Sequence, residues 1–219
     1  MQIPFTLDHA TSFALEDFIV SPTNQLAYDI VKAWPDWPYH ITALVGPEAC
    51  GKTHLAHGWA KLSGAVVYEG AAFPDVTIDP ELSHIVIDNI AADAFDENKL
   101  FHLINWTKEN QTSVLLTCRY EPTRWDIKLP DLRSRLSLIQ VANINAPDDQ
   151  LLMILLYKMF SDRQLTVDLS VINFIVPRME RSFAAVRELV IAMDAKALSR
   201  KTGISIKIAK ECLKDMKML

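Results

Sequence analysis

The run Gly46-Pro47-Glu48-Ala49-Cys50-Gly51-Lys52-Thr53 constrains this chain more than any other feature, because of what stands on either side of it. Before it lies Ile41-Val45, an apolar stretch of strand length; after it comes Thr53-Leu62, which has helical periodicity and Gly64 as its stop. The run fits G-x-x-x-x-G-K-[ST], and a strand, loop and helix in that order is the setting the pattern requires. Gly46 and Gly51 let backbone amides curl around phosphate oxygens. Lys52 supplies a point charge to the β and γ phosphates, and the Thr53 hydroxyl is a magnesium ligand. A chance match in a chain of this size is on the order of 1%, so a merely Gly-rich turn is a poor alternative.

The rest of the chain agrees with that start. Strand-length apolar runs at Ile41-Val45, Ala65-Glu69, Ile85-Asp88, Val114-Thr117 and Leu138-Val141 alternate with helical segments, including Lys99-Glu109. That pattern predicts an α/β domain, a parallel sheet with helices on both faces. Trp34-Pro35-Asp36-Trp37-Pro38 reads as a rigid turn into the first strand. After Asn145 the strand signals cease, and a small all-helical lid is expected. Its helices start near Pro147 with Asp148 and Asp149 in the first turn, break or kink at Pro177, stop at Gly203 and restart at a Ser205 cap. The expected division is a flexible segment over residues 1–12, a nucleotide-binding domain over 13–145 and a lid over 146–219.

Charge narrows the function. The chain carries a net charge of -5, which argues against an autonomous nucleic-acid binder. Residues 1–110 hold 5 lysines, no arginine and 15 acids, whereas all 9 arginines lie beyond residue 118. Either the lid has a basic solvated face, or the basic half of one molecule meets the acidic half of the next. Three scattered cysteines, Cys50, Cys118 and Cys212, fit a reducing compartment and form no zinc pattern. With no signal peptide and no apolar run near the ~20 residues of a membrane span, a cytoplasmic location is expected.

A phosphate-binding loop also needs an acid at the end of a neighbouring buried strand, and Asp88 in His84-Ile85-Val86-Ile87-Asp88 is the candidate to hold magnesium beside Thr53. Its alternative role is to cap the following turn. Asn89 comes next, and an amide cannot act as a general base, so unassisted hydrolysis should be slow. His54, His57, His84 and His102 share no metal-ligand spacing matched to an acid cluster.

The pair Asp88-Asn89, the stretch Leu129-Pro130-Asp131-Leu132-Arg133-Ser134-Arg135-Leu136 and the segment Arg178-Met179-Glu180-Arg181-Ser182-Phe183 resemble the DnaA-related clade of AAA+ proteins, and within it the Hda type. The resemblance covers nearly the whole chain and implies the AAA+ fold with bound ADP or ATP and Mg2+. It implies that Arg135 is a finger reaching another subunit's nucleotide, with Arg133 and a plain surface ion pair as the alternatives. Arg181 becomes the lid arginine that touches bound nucleotide, against the alternative of a solvent-facing side chain. Asp17-Phe18-Ile19-Val20-Ser21-Pro22-Thr23-Asn24 resembles the segment that wraps adenine, with Ile19 and Val20 as its apolar contacts, and His54 joins the loop residues. Thr117 falls at the sensor 1 strand end, where Cys118-Arg119 replace the small residue and Asp usual in relatives.

The family's activity is regulatory. The resemblance implies stimulated hydrolysis of ATP bound to the initiator DnaA, together with the polymerase III sliding clamp, and so negative regulation of replication initiation in the bacterial nucleoid or replisome. Gln2-Ile3-Pro4-Phe5-Thr6-Leu7 resembles short clamp-binding peptides, with Gln2, Ile3, Pro4, Phe5 and Leu7 as contacts; its alternative is a tail packed on its own domain. No helix-turn-helix follows the lid, so no sequence-specific DNA reading is expected. A homodimer is left open. The competing functions are a DnaC-like helicase loader, a small-molecule P-loop kinase and a catalytically inert adaptor.

Overall fold

Five short runs rich in Ile, Val and Leu pair in parallel in the order β2-β3-β4-β1-β5. In the computed structural model, which describes residues 13–70, 72 and 83–219, these are β1 (Ile41–Val45), β2 (Val66–Glu69), β3 (Ile85–Ile90), β4 (Val114–Cys118) and β5 (Gln140–Asn143). The helices of this domain are α1 (Gln25–Lys32), α2 (Lys52–Ser63), α3 (Glu97–Glu109) and α4 (Pro130–Leu136).

Period-2 alternation assigns the two faces of the sheet. Ile41, Ala43 and Val45 of β1, Ile85 and Ile87 of β3, and Val114 and Leu116 of β4 pack with α3 and α4 residues such as Leu100, Leu103 and Leu132. Leu44, Val86 and Leu115, one step out of phase, pack with Leu55, Ala56 and Trp59 of α2 and with Ala27 and Val31 of α1. Burial on both faces is why the central strands read as unbroken apolar runs. Trp59, fully buried, is bracketed by Trp37 stacked at 5.1 Å and Trp34 edge-on at 6.1 Å. The turn over 34–38 therefore packs its two indoles onto α2.

Helix boundaries differ from the sequence reading where a cap outweighs periodicity. Asp96 accepts from the amides of Asn98 and Lys99, so α3 starts at Glu97, two residues before Lys99. The fifth strand is displaced from 138–141 to 140–143 because α4 overruns: Leu138 N–H bonds to Arg135 O and its side chain is 67% exposed.

Beyond β5 the chain is helical: α5 (Asp149–Asp162), α6 (Leu169–Ile175), α7 (Phe183–Arg200) and α8 (Ile206–Asp215). They enclose a core of their own around Leu152, Phe160, Ile172, Leu189 and Met193, all 0% exposed. Asp148 is the cap of α5, accepting from Leu151 N, so Pro147 precedes the helix instead of opening it. Pro177 sits in a 3-10 turn directly after α6. Ser182 and Ser205 cap α7 and α8 through the amides of Ala185 and Ile208. The stop of α7 is not Gly203 but Lys201, which takes the left-handed conformation at φ 52°; the helix ends where its last carbonyls are capped, two residues early.

Candidate nucleotide-binding site

Chain direction puts the carboxyl ends of β1, β3 and β4 at one edge of the sheet, and the loop 46–51 rises from that edge into α2. Gly51 has φ 101°, a conformation only glycine adopts freely, and Ala49 is left-handed at φ 54°. That path turns successive amides toward a common centre. The first amides of α2 have no partner inside the helix, so loop and helix together present a concave array of N–H donors. Lys52 Nζ donates to Gly46 O at 2.9 Å and Pro47 O at 2.7 Å, which places the ammonium across the mouth of the loop.

Two buried thiols line the loop's base. Burial pushes Cys50 up against the opposing pull of Lys52, and pushes Cys118 up to about 12, with Glu121 adding to the rise and Lys52 opposing it. Neither is a thiolate, so neither is a nucleophile.

Asp88 is 2% exposed and accepts from the Thr117 hydroxyl on the adjacent strand. That same hydroxyl accepts from Asn89 N at 2.7 Å. Asn89 itself is left-handed at φ 58°, which suits asparagine better than most residues. One hydroxyl, through two hydrogen bonds, thus fixes the acid and the turn after it. Thr53, in the first turn of α2, supplies a hydroxyl at the same edge.

The segment before α1 lies across α2. Phe13 stacks on His57 at 4.7 Å, and His54 Nε2 lies 2.9 Å from Ala14 O, so the His54 imidazole faces this segment and only its backbone amide belongs to the loop. Ile19 packs on the lid core and Val20 on the α2 face of the sheet, so the pair spans the seam between the two bodies. Phe18, which the sequence reading passed over, is 9% exposed and stacks on Tyr28 at 5.9 Å. A β-carbon on Gly51 would come within 2.9 Å of the Phe18 ring, so Phe18 buttresses the loop from below. The signal was present as an aromatic residue beside Ile19 and Val20. Arg181 projects at the start of α7 and pairs with Asp149 at 2.8 Å, both side chains 56% exposed.

Arg135 stands apart from all of these. It lies in the last turn of α4, which packs with α3 on the face of the sheet opposite the one that α2 covers. Its guanidinium rests 4.8 Å above the Phe101 ring. Arg133 is engaged differently, donating to Ile127 O. Glu97 accepts from Lys128 N at 3.0 Å and Leu129 N at 2.8 Å, and so pins the residues that lead into α4.

Those two amide bonds hold the Glu97 carboxyl below its ordinary value, with Lys128 and Arg133 adding to the effect. A depressed folded-state pKa gives stability that is present above the unfolded value and lost as pH falls through the folded one. The loop before α4 is therefore expected to loosen at the acid end of the carboxylate range. Glu97→Gln should show the same loosening at neutral pH, read as faster amide exchange at Leu129; unchanged exchange would remove Glu97 from this role.

A glycine-bearing phosphate loop on a central parallel strand, a buried acid on β3, a threonine on β4 between them and a helical lid make up the AAA+ P-loop α/β fold. Within that fold the chain is similar to DnaA proteins. No family model matches the sequence. It is 21% identical to the chromosomal replication initiator DnaA of Cutibacterium acnes, over 93% of this chain and 46% of that protein. It is 22% identical to an uncharacterized protein of Haemophilus influenzae, over 97% of this chain and 98% of that one. The chain thus spans about half the length of the DnaA protein it matches. Among solved structures, domain III of Thermotoga maritima DnaA superposes with a TM-score of 0.79 at 19% identity, covering 93% of this chain and 96% of that one. AMPPCP-bound DnaA from Aquifex aeolicus gives 0.70 at 20% identity, covering 86% and 68%.

Proposed function

We propose that this chain is an adenine-nucleotide-binding regulator of the Hda type, which stimulates hydrolysis of DnaA-bound ATP together with the sliding clamp and so represses replication initiation. The observation that carries this reading is the position of Arg135 on α4, across the sheet from the helix that continues the chain's own phosphate loop. An arginine held on that face, resting on the Phe101 ring, is the one we offer to a nucleotide on another molecule. Stabilising charge on a transferring phosphoryl group in trans is worth ~10³ to 10⁵ in rate in such systems.

ADP or ATP with Mg2+ fits the site. The loop amides and Lys52 would take the phosphates, Thr53 and Asp88 the metal, Ile19 and Val20 the base, and Arg181 the phosphates from the lid. AMPPCP in the Aquifex aeolicus relative supports the adenine assignment. Bound nucleotide supplies an anchor joining lid and sheet; with Asn89 after Asp88, its own turnover is slow.

The deciding experiment measures hydrolysis of ATP bound to DnaA, with and without this chain and with and without clamp loaded on DNA. Stimulation that needs both supports the proposal. Phosphate transfer to a small acceptor without any protein partner would replace it with the kinase reading, and partner binding without stimulation with the adaptor reading.

The segment Gln2-Leu7 lies outside the described residues, and its clamp role is part of this proposal. Pro4 favours an extended path, the Gln2 amide can bond at a groove's edge, and Ile3, Phe5 and Leu7 offer apolar anchors. One such peptide binds at ~1–100 μM, so several subunits on one clamp would act together. Deleting residues 2–7 is expected to abolish clamp binding in a pull-down and to lower clamp-dependent stimulation by at least about tenfold. Full retention of both would return the segment to the role of a packed tail.

A further inference from the structure

The last lid helix, α8, has two faces of opposite character. Ile208, Ala209, Cys212 and Leu213 pack into the lid core, none more than 3% exposed. Across the helix from them stand Lys207, Lys210 and Lys214, all exposed and, at 100° per residue, within about 60° of one another. The helix also carries two acids, Glu211 and Asp215, but α7 engages both. Arg200 donates to Glu211 at 2.6 and 3.1 Å, and Lys196 to Asp215 at 2.6 Å. The Arg200 hydrogen bond holds the Glu211 carboxyl below its ordinary value, with Lys196 and then Lys207 adding to the effect. Among the described residues none of the three lysines forms an ion pair. Lys210 and Lys214 are one turn apart, a like-charge spacing that weakens an isolated helix. The fold therefore segregates charge: the acids turn toward α7, and a row of ammonium groups without counter-charge faces solvent.

The geometry of the row selects among polyanions. From Lys207 to Lys214 it runs about 10 Å along the helix, the axial run of about three phosphates on one strand of a duplex. Lysine is a hydrated point charge on a flexible stem, suited to a repeating phosphate backbone, whereas the planar fork that pairs with single carboxylates belongs to arginine. No aromatic residue stands on α8, so unstacked bases find no platform, which sets a duplex above a single strand. Nor can the helix lie in a bilayer, because its apolar face is already buried in the lid core.

We propose that α8 binds the phosphate backbone of duplex nucleic acid, without regard to sequence, through Lys207, Lys210 and Lys214. The inference is independent of the nucleotide site, and it gives the basic half of the chain a partner other than the acidic half of a second copy. The net charge of -5 limits the contact to a weak and salt-sensitive one.

The test follows the fluorescence anisotropy of a labelled duplex of about 30 base pairs as salt rises from about 25 to 200 mM. Three phosphates neutralised at about 0.9 each predict a slope of log affinity against log salt of about -2.7 for the parent chain. Each of Lys207→Gln, Lys210→Gln and Lys214→Gln should lower that slope by about 1, and the triple variant should bind at least about tenfold more weakly at the lowest salt. Glutamine has nearly the helix propensity of lysine, so α8 is retained, and the single variants read the effect one charge at a time. Removing the same charge from α2 and α3, as Lys61→Gln with Lys99→Gln and Lys108→Gln, should change the affinity less than about twofold. Two duplexes of unrelated sequence should bind alike. No duplex binding at the lowest salt, an unchanged slope in the triple variant, or an equal loss in the α2 and α3 control would overturn the proposal. Tighter binding to the matching single strand would overturn it too. So would lysine-dependent binding to vesicles with about a third phosphatidylserine, or to poly-glutamate, with none to the duplex, since the row would then serve a membrane or an acidic protein.

Discussion

Replacing Arg135 with alanine is expected to cut stimulation of DnaA-bound ATP hydrolysis by about 10³-fold or more, with the fold and the chain's own nucleotide binding kept. The two readouts separate because α4, which bears Arg135, packs on the face of the sheet opposite α2 and its phosphate loop. Its contact with the Phe101 ring contributes only about 0.5–1 kcal/mol at a half-exposed site, so unfolding would not explain a loss of this size. Arg133→Ala is the internal comparison: its guanidinium holds Ile127 O, so its loss should lower thermal stability slightly and stimulation far less. Arg135→Lys retains the charge but not the bidentate fork, and should recover only a small part of the rate. A fully active Arg135→Ala protein would transfer the role elsewhere or end the trans-acting reading.

What the sequence made legible was whatever depends on local spacing. The phosphate loop needs eight consecutive residues between a strand and a helix, and its left-handed Gly51 follows from the pattern itself. The two-faced sheet was readable because burial on both sides leaves apolar runs that no amphipathic helix would show. Contacts between distant residues were out of reach. Nothing in the spacing announces that Thr117 donates to Asp88, 29 positions away, or that Glu97 reaches the amides of Lys128 and Leu129. Asn143 reaches Glu121, 22 positions away, only because β5 lies beside β1. The helix-end differences have a common cause: Asp96, Asp148 and Lys201 set those ends by capping, while hydrophobic period alone places them a residue or two away.

Gly46→Ala is expected to abolish nucleotide binding, lowering affinity at least 100-fold, the scale of a lost loop and not of one lost hydrogen bond. A β-carbon at Gly46 would stand 2.7 Å from Cys50 Sγ and closer still to Ile144 O. Neither neighbour can yield cheaply. Ile144 is tied to the sheet through its N–H, 2.7 Å from Val45 O, and Cys50 is 1% exposed beneath the loop. The strain would either part β1 from the segment after β5 or push the loop outward, and both displace the carbonyls that orient Lys52. Overpacking of this kind costs about 1–3 kcal/mol, which for a chain of this size lowers the melting temperature by roughly 2–12 °C. Gly203→Ala provides the control, because nothing lies within 4 Å of the added methyl and the backbone there is not left-handed. Calorimetry with and without ATP reads both effects at once, since a ligand that binds only the folded chain raises its melting temperature. A Gly46→Ala protein that melts like its parent and still gains stability from ATP would show that this glycine is not needed for close approach, and the loop assignment would have to rest on Gly51 and Lys52 alone.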